Sequence, residues 1–92
     1  MQHLRILFAR KAPDRPYPHI SHVGGLNARG EPWVLAVEDV IQVSANTYSF
    51  SVGSNGHRSS VFIAQGNGSR HIQCAADLVE GGNTFLTLPD CP

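Results

Sequence analysis

At 92 residues, 41% hydrophobic and 15% charged, the chain is sized and composed for one small globular domain rather than a disordered or fibrous segment. A formal net charge of zero gives it no global field to draw in nucleic acid or an anionic membrane. No apolar run reaches membrane length, and the stretch from Leu4 to Ala9 is too short, and too broken by Arg5, for a secretory signal core.

The expectation is therefore a cytoplasmic protein without membrane contact, whose two cysteines, Cys74 and Cys91, are reduced thiols. The zero net charge hides an asymmetry. Arg5, Arg10, Lys11 and Arg15 stand against Asp14 alone in residues 1–15, a balance of +3. Arg29, Arg58 and Arg70 stand against Glu31, Glu38, Asp39, Asp77, Glu80 and Asp90 in the rest, a balance of −3. A basic arm precedes a mildly acidic body, and the plainest reading of such an arm is a solvated extension that touches its own body.

In chain order, Leu4, Ile6 and Phe8 alternate with more polar neighbours, enough for a short strand that could pair at a sheet edge. Pro13, Pro16 and Pro18 then read as a linker, so residues 1–18 form a basic arm with a Pro-rich linker and the domain occupies 19–92. Ile20 to Val23 reads as a strand whose end Gly24-Gly25 weakens or bulges, and residues 27–30 carry turn chemistry. A short helix is expected over 36–45. Val37, Val40, Ile41 and Ser44 share one side of it, Glu38 and Asp39 suit its first turn, and Asn46 suits its C-terminal cap.

Beyond it, Tyr48, Phe50 and Val52 alternate on one face of a strand, and Asn55-Gly56 favours a type I′ hairpin turn. Residues 60–65 return, Gly66-Asn67-Gly68 turns again, and residues 70–76 make a third strand with Ile72, Cys74 and Ala76 on one face. Residues 77–83 read as a loop and 85–89 as a final apolar segment closing the core. The expected architecture is α+β: a small antiparallel sheet of strand, short helix, three-stranded meander and C-terminal segment, with one helix on one face. That arrangement buries Trp33, Val40, Ile41, Phe50, Ile63 and Ile72 together.

Trp33, Val40-Ile41, the strand Tyr48-Ser49-Phe50, Ile72, Asp77, Asn83 and the close Leu86-Thr87-Leu88-Pro89-Asp90-Cys91 follow one another in a recognisable order. Over about residues 19–91 that order resembles a small bacterial family, the domain-of-unknown-function family 3892. The resemblance implies the fold and transfers no site, because the family comes without an established activity. The chain departs from the family's pattern at Ala36, where Ser or Thr would cap the helix, and at His71, Gln73 and Cys74.

Five histidines in so short a chain raise the metal question. His19 and His22 are three apart, as are His71 and Cys74, and on a strand that spacing puts each pair on opposite faces. The competing reading is surface histidines standing where Lys or Glu usually would. No nucleophile elbow is present, the serines of YSFSV are expected to face water, and Cys74 beside Ile72 is expected to be a buried inert thiol. The glycines read as turn or bulge residues, with no phosphate-binding loop and no cofactor signature.

The expectation for function is a non-enzymatic accessory or adaptor module, binding another protein through a sheet edge or as a homodimer. The first alternative is nucleic-acid binding, with Arg5, Arg10, Lys11 and Arg15 on phosphates and Tyr17 stacking on a base. The second is a small metal-binding protein using His and Cys side chains.

Overall fold

The computed structural model describes residues 2–15, 17–44, 48–53, 58–66 and 69–91. In order they form β1 (Gln2–Ile6), β2 (Phe8–Lys11), β3 (Ile20–Leu26), β4 (Pro32–Ala36), α1 (Val37–Ser44), β5 (Tyr48–Val52), β6 (Ser59–Gly66), β7 (Ser69–Cys74), α2 (Ala75–Glu80) and a 3-10 turn at Thr84–Thr87. The fold is α+β, as the sequence predicts, with α1 packed against mostly antiparallel strands. The expected meander is present as β5, β6 and β7, and α1 lies within one residue of its expected bounds at each end. The turns expected at Asn55-Gly56 and Asn67-Gly68, and the cap expected at Asn46, lie outside the described residues.

The strands make two sheets rather than one. The larger runs β1-β5-β6-β7 and the smaller β2-β3-β4. This corrects the reading of residues 1–18 as an arm outside the domain. β1 pairs in parallel with β5, setting Leu4 beside Phe50 and Ile6 beside Val52, while β2 pairs with β3. Ile6 and Ala9 are fully buried. The chain corners at Leu7, whose amide donates to the Gly24 carbonyl at 2.8 Å. That corner breaks the Leu4-Ile6-Phe8 alternation: beyond it Ala9 points inward, and Phe8 lies on the outer face of the smaller sheet.

The two glycines expected to end β3 lie inside it, where the sheets approach each other. A Cβ on Gly25 would come within 2.2 Å of the Arg5 carbonyl oxygen, and one on Gly24 within 2.5 Å of the Trp33 carbonyl oxygen. Only a residue without a side chain lets the β1 backbone cross β3 there. The indole of Trp33 packs against the same glycine and lies 6.4 Å from the Phe50 ring.

The core follows from these faces. Val37, Val40 and Ile41 bring the buried side of α1 onto Ile20, Phe50, Ile72 and Cys74. Trp33 and Ile63 lie at its border, half-buried. Each large apolar side chain taken out of water contributes about 1.5–3 kcal/mol, so a few of them decide whether so small a domain folds.

β7 ends at Cys74, two residues sooner than expected, and the expected loop after it begins with α2. The amide of Ala76 donates to Ser59 Oγ at 2.9 Å instead of extending the ladder. Asp77, buried inside α2, then reaches across the next turn. Its carboxylate accepts from the Thr84 amide at 3.1 Å and from Thr84 Oγ1 at 2.6 Å, which fixes the start of the 3-10 turn. That turn inserts Phe85, fully buried, and Leu88 follows it into the core. The C-terminal segment thus closes the core, as its sequence predicts.

Candidate functional site

Residues 12–15 and 17–19 are fastened to the fold rather than forming a free linker. The Ala12 amide donates to the His19 carbonyl at 2.8 Å, and the Arg15 amide to the Ala12 carbonyl at 2.9 Å. His19 takes a left-handed backbone conformation at φ 65° and brings its Nδ1 to 2.7 Å from the Arg15 carbonyl oxygen. Asn83 Nδ2 donates to the Pro18 carbonyl at 2.7 Å, tying the loop to the segment after α2.

Beneath that loop lies a cavity of about 510 Å³. Pro18, Ile20, Val37 and Ile41 supply its apolar lining, and Arg15, Tyr17, Glu38, Arg70 and His71 its polar one. Arg70 and His71 both reach it from β7 because β7 is an edge strand of the larger sheet. Arg15 pairs with Glu38 at 2.7 Å across the mouth. The Tyr17 ring stands edge-on to His71 at 5.5 Å and 87°. Burial pushes the Tyr17 phenol above its usual value of 10, with the charge of Asp77 and then that of Cys74 adding to the rise. The Glu38 carboxyl is held below its usual range, first by its own backbone N–H and then by Arg15.

The five residues expected to contact a nucleic acid or a partner are not held together. Arg5 Nε donates to the Gly53 carbonyl at 3.1 Å. Lys11 Nζ donates to the Leu88 carbonyl. Arg10 is exposed on β2. Only Arg15 and Tyr17 share a site, the cavity just described. Arg70, His71 and Glu38 complete it; the sequence raises His71 only in the metal question beside Cys74 and Glu38 only as an acid of the helix's first turn, and it places none of the three with Arg15 and Tyr17. The signal that could have found them is the Tyr-Pro-His stretch at 17–19, which needs partners to hold it, and Asn83, which supplies one.

The serines of β5 depart from their expected place in water. Ser51 is buried, and His3 in β1 lies between both hydroxyls, with Nδ1 2.8 Å from Ser49 Oγ and Nε2 2.9 Å from Ser51 Oγ. A serine–histidine contact can activate a nucleophile. Here both ring nitrogens are taken by hydroxyls, leaving none for an orienting carboxylate, and the contact reads as a cross-strand tie between β1 and β5.

Cys74 is buried and Cys91 half-buried, and both are free thiols. Burial pushes the Cys91 thiol up, with Arg10 pulling the other way, so it is protonated at neutral pH. The register of β6 and β7 puts His71 and Cys74 on opposite faces, as expected. Among the described residues no three His, Cys, Asp or Glu side chains come together to hold a metal ion. Among them, too, no helix is long and apolar enough to cross a membrane.

A second feature is the outer edge and face of the smaller sheet. Phe8, Gly24 and Val34 lie in one row across it, with Leu26 and Pro32 in the row beside them. Leu26 is 46% exposed and Val34 40%. β4 ends the sheet, and among the described residues no strand pairs with its outer edge. The other three outer strands are better covered: Pro89 and Leu88 take donors from β2, Gly24-Gly25 lie against the end of β1, and Tyr17 stands against β7. Comparison of the chain with protein-family models, curated proteins and solved structures finds no match.

Proposed function

We propose that the protein is a small non-enzymatic module that binds another polypeptide by strand addition at β4, and that its simplest partner is a second copy of itself. The observation that carries this reading is the open edge of β4. Its five residues, PWVLA, hold no charge, and its only blunting residue, Pro32, is the first. Edge strands that stay unpaired are ordinarily guarded by Lys, by an internal Pro or by a covering segment.

The sequence of β4 suits self-pairing. An antiparallel pair centred on Val34 sets Pro32 against Ala36 and Trp33 against Leu35, with no like charges opposed. It also joins the strip of exposed Leu26 and Val34 and half-buried Phe8 to its twin, removing apolar surface from water. The nucleic-acid reading needs Arg5, Arg10, Lys11 and Arg15 on one free arm. Three of them are engaged with Gly53, Leu88 and Glu38.

The test is sedimentation equilibrium of the purified chain beside its Val34→Lys variant. A wild-type dimer that the variant turns into a folded monomer supports self-pairing through β4. A wild-type chain that stays monomeric at high micromolar concentration removes it.

A further inference from the structure

Beyond the edge, we propose that the cavity between the residue 12–19 loop, α1 and β7 binds a small aromatic monoanion, a planar apolar body carrying one carboxylate or sulfonate. The cavity, about 510 Å³, lies within the range of small-molecule sites. Ile20, Val37 and Ile41, all buried, form with Pro18 the apolar part of its wall. Tyr17, edge-on to His71 at 5.5 Å, adds an aromatic wall held by the cross-linked loop. Aromatic bodies favour such offset and edge-to-face surroundings.

Charge selects the ligand. Arg15, Arg70 and the imidazole of His71 line the cavity against a single carboxylate, Glu38. Arg15 is matched to Glu38 at 2.7 Å, which among the described residues leaves the Arg70 guanidinium as the formal charge to be met. One guanidinium fits one carboxylate or sulfonate through paired N–H donors; a polyphosphate would need several free cations. The Tyr17 phenol, protonated at neutral pH, adds a donor. None of these residues belongs to the β4 strip, so this site and the dimer stand or fall separately.

The probe is 8-anilinonaphthalene-1-sulfonate, titrated into the full chain by calorimetry so that affinity and stoichiometry are read rather than brightness. One site per chain is expected. Arg70→Gln should weaken binding about five- to tenfold, the loss of a charge-assisted contact. Glu38→Gln should tighten it about two- to fivefold, because Arg15 is released toward the ligand. Val34→Ser, on the outer strip, should leave it unchanged, and thermal melts confirm that each variant is folded. Loss of binding in Val34→Ser, more than one site per chain, absence of saturable binding, or an unchanged affinity in Arg70→Gln overturns the proposal. Should Arg70→Gln fail to fold, the wild-type salt dependence decides: an affinity indifferent to salt overturns it equally.

Discussion

The two edges of the smaller sheet have been treated in opposite ways. β2 carries Arg10 and Lys11 and is also covered, with the Ala9 amide donating to the Pro89 carbonyl at 2.9 Å and Lys11 donating to the Leu88 carbonyl. β4 carries no charge, and among the described residues no strand pairs with its outer edge. A strand edge presents unpaired N–H and C=O groups whichever side it lies on, so the same hazard has been met once and left once. Covering β2 requires ordering a C-terminal segment whose entropy opposes folding, offset by burying Phe85 and Leu88. That asymmetry between the two edges is the ground for proposing strand addition at β4.

The contrast breaks most severely at the anchor of the cover. Phe85 is fully buried, and Phe85→Ala should cost about 3–5 kcal/mol, most of what a domain this size has to lose. A thermal melt should fall by roughly 15 °C or more, or show no folded baseline. A drop of only a few degrees would mean that the segment is not what closes the core. Asp77→Ala removes both acceptors of Thr84 while leaving Phe85 in place. The expected cost is about 1–3 kcal/mol, the desolvation of a donor left without its partner. Hydrogen exchange should rise first at Ala9 and in the 3-10 turn; uniform acceleration across the larger sheet would place the role of Asp77 elsewhere.

These fasteners explain what could be read from the sequence and what could not. The meander, α1 and the closing role of residues 85–89 were legible because each rests on a local pattern: period-2 alternation, apolar spacing near 3.6, and a short apolar run at the end. β1 and β2 were legible as one strand only. The corner at Leu7 depends on Gly24, which is seventeen residues away, and no local periodicity records such a crossing. β4 was hidden for a related reason: the centre of its pairing with β3 falls on the two glycines that look like strand breakers. α2 was masked by the apolar alternation running on from β7, and by Ser59 supplying an acceptor from a distant strand. The cavity was half legible. Arg15 and Tyr17 were picked out for their charge and ring, but Glu38, Arg70 and His71 join them only through tertiary packing. Asp77 and Asn83, two residues on which the family resemblance rests, turn out to hold turns in place.

A milder change sharpens the comparison without breaking the fold. Val34 is 40% exposed, so Val34→Lys should alter monomer stability by no more than about 0.5 kcal/mol while guarding the open edge. Chemical denaturation at concentrations too low for dimers should therefore superimpose the two chains. A clear destabilisation would show that Val34 contributes to the core, and that β4 is less open than its position at the end of the sheet implies.

The smallest effect concerns the tie between the loop that follows β2 and the helix that follows β4, the Arg15–Glu38 pair at 2.7 Å. The side chains are 43% and 63% exposed, so the pair is screened and adds little at neutral pH. Its signature is in the pH dependence instead. The folded Glu38 carboxyl titrates below its ordinary value of 4.5, held there first by its own backbone N–H and then by Arg15. A group whose folded value is depressed contributes stability that is present above the unfolded value and lost as pH falls through the folded one. Glu38→Gln should therefore leave the chain slightly less stable at pH 7, with the two melting curves converging as pH drops below about 4.5. The acid limb of the variant should be the flatter of the two, and added salt should shrink only the part of the difference that comes from Arg15. Parallel acid limbs would show that the loop after β2 is held by Asn83 and its own backbone alone, and that the two ends of the smaller sheet are not coupled through this pair.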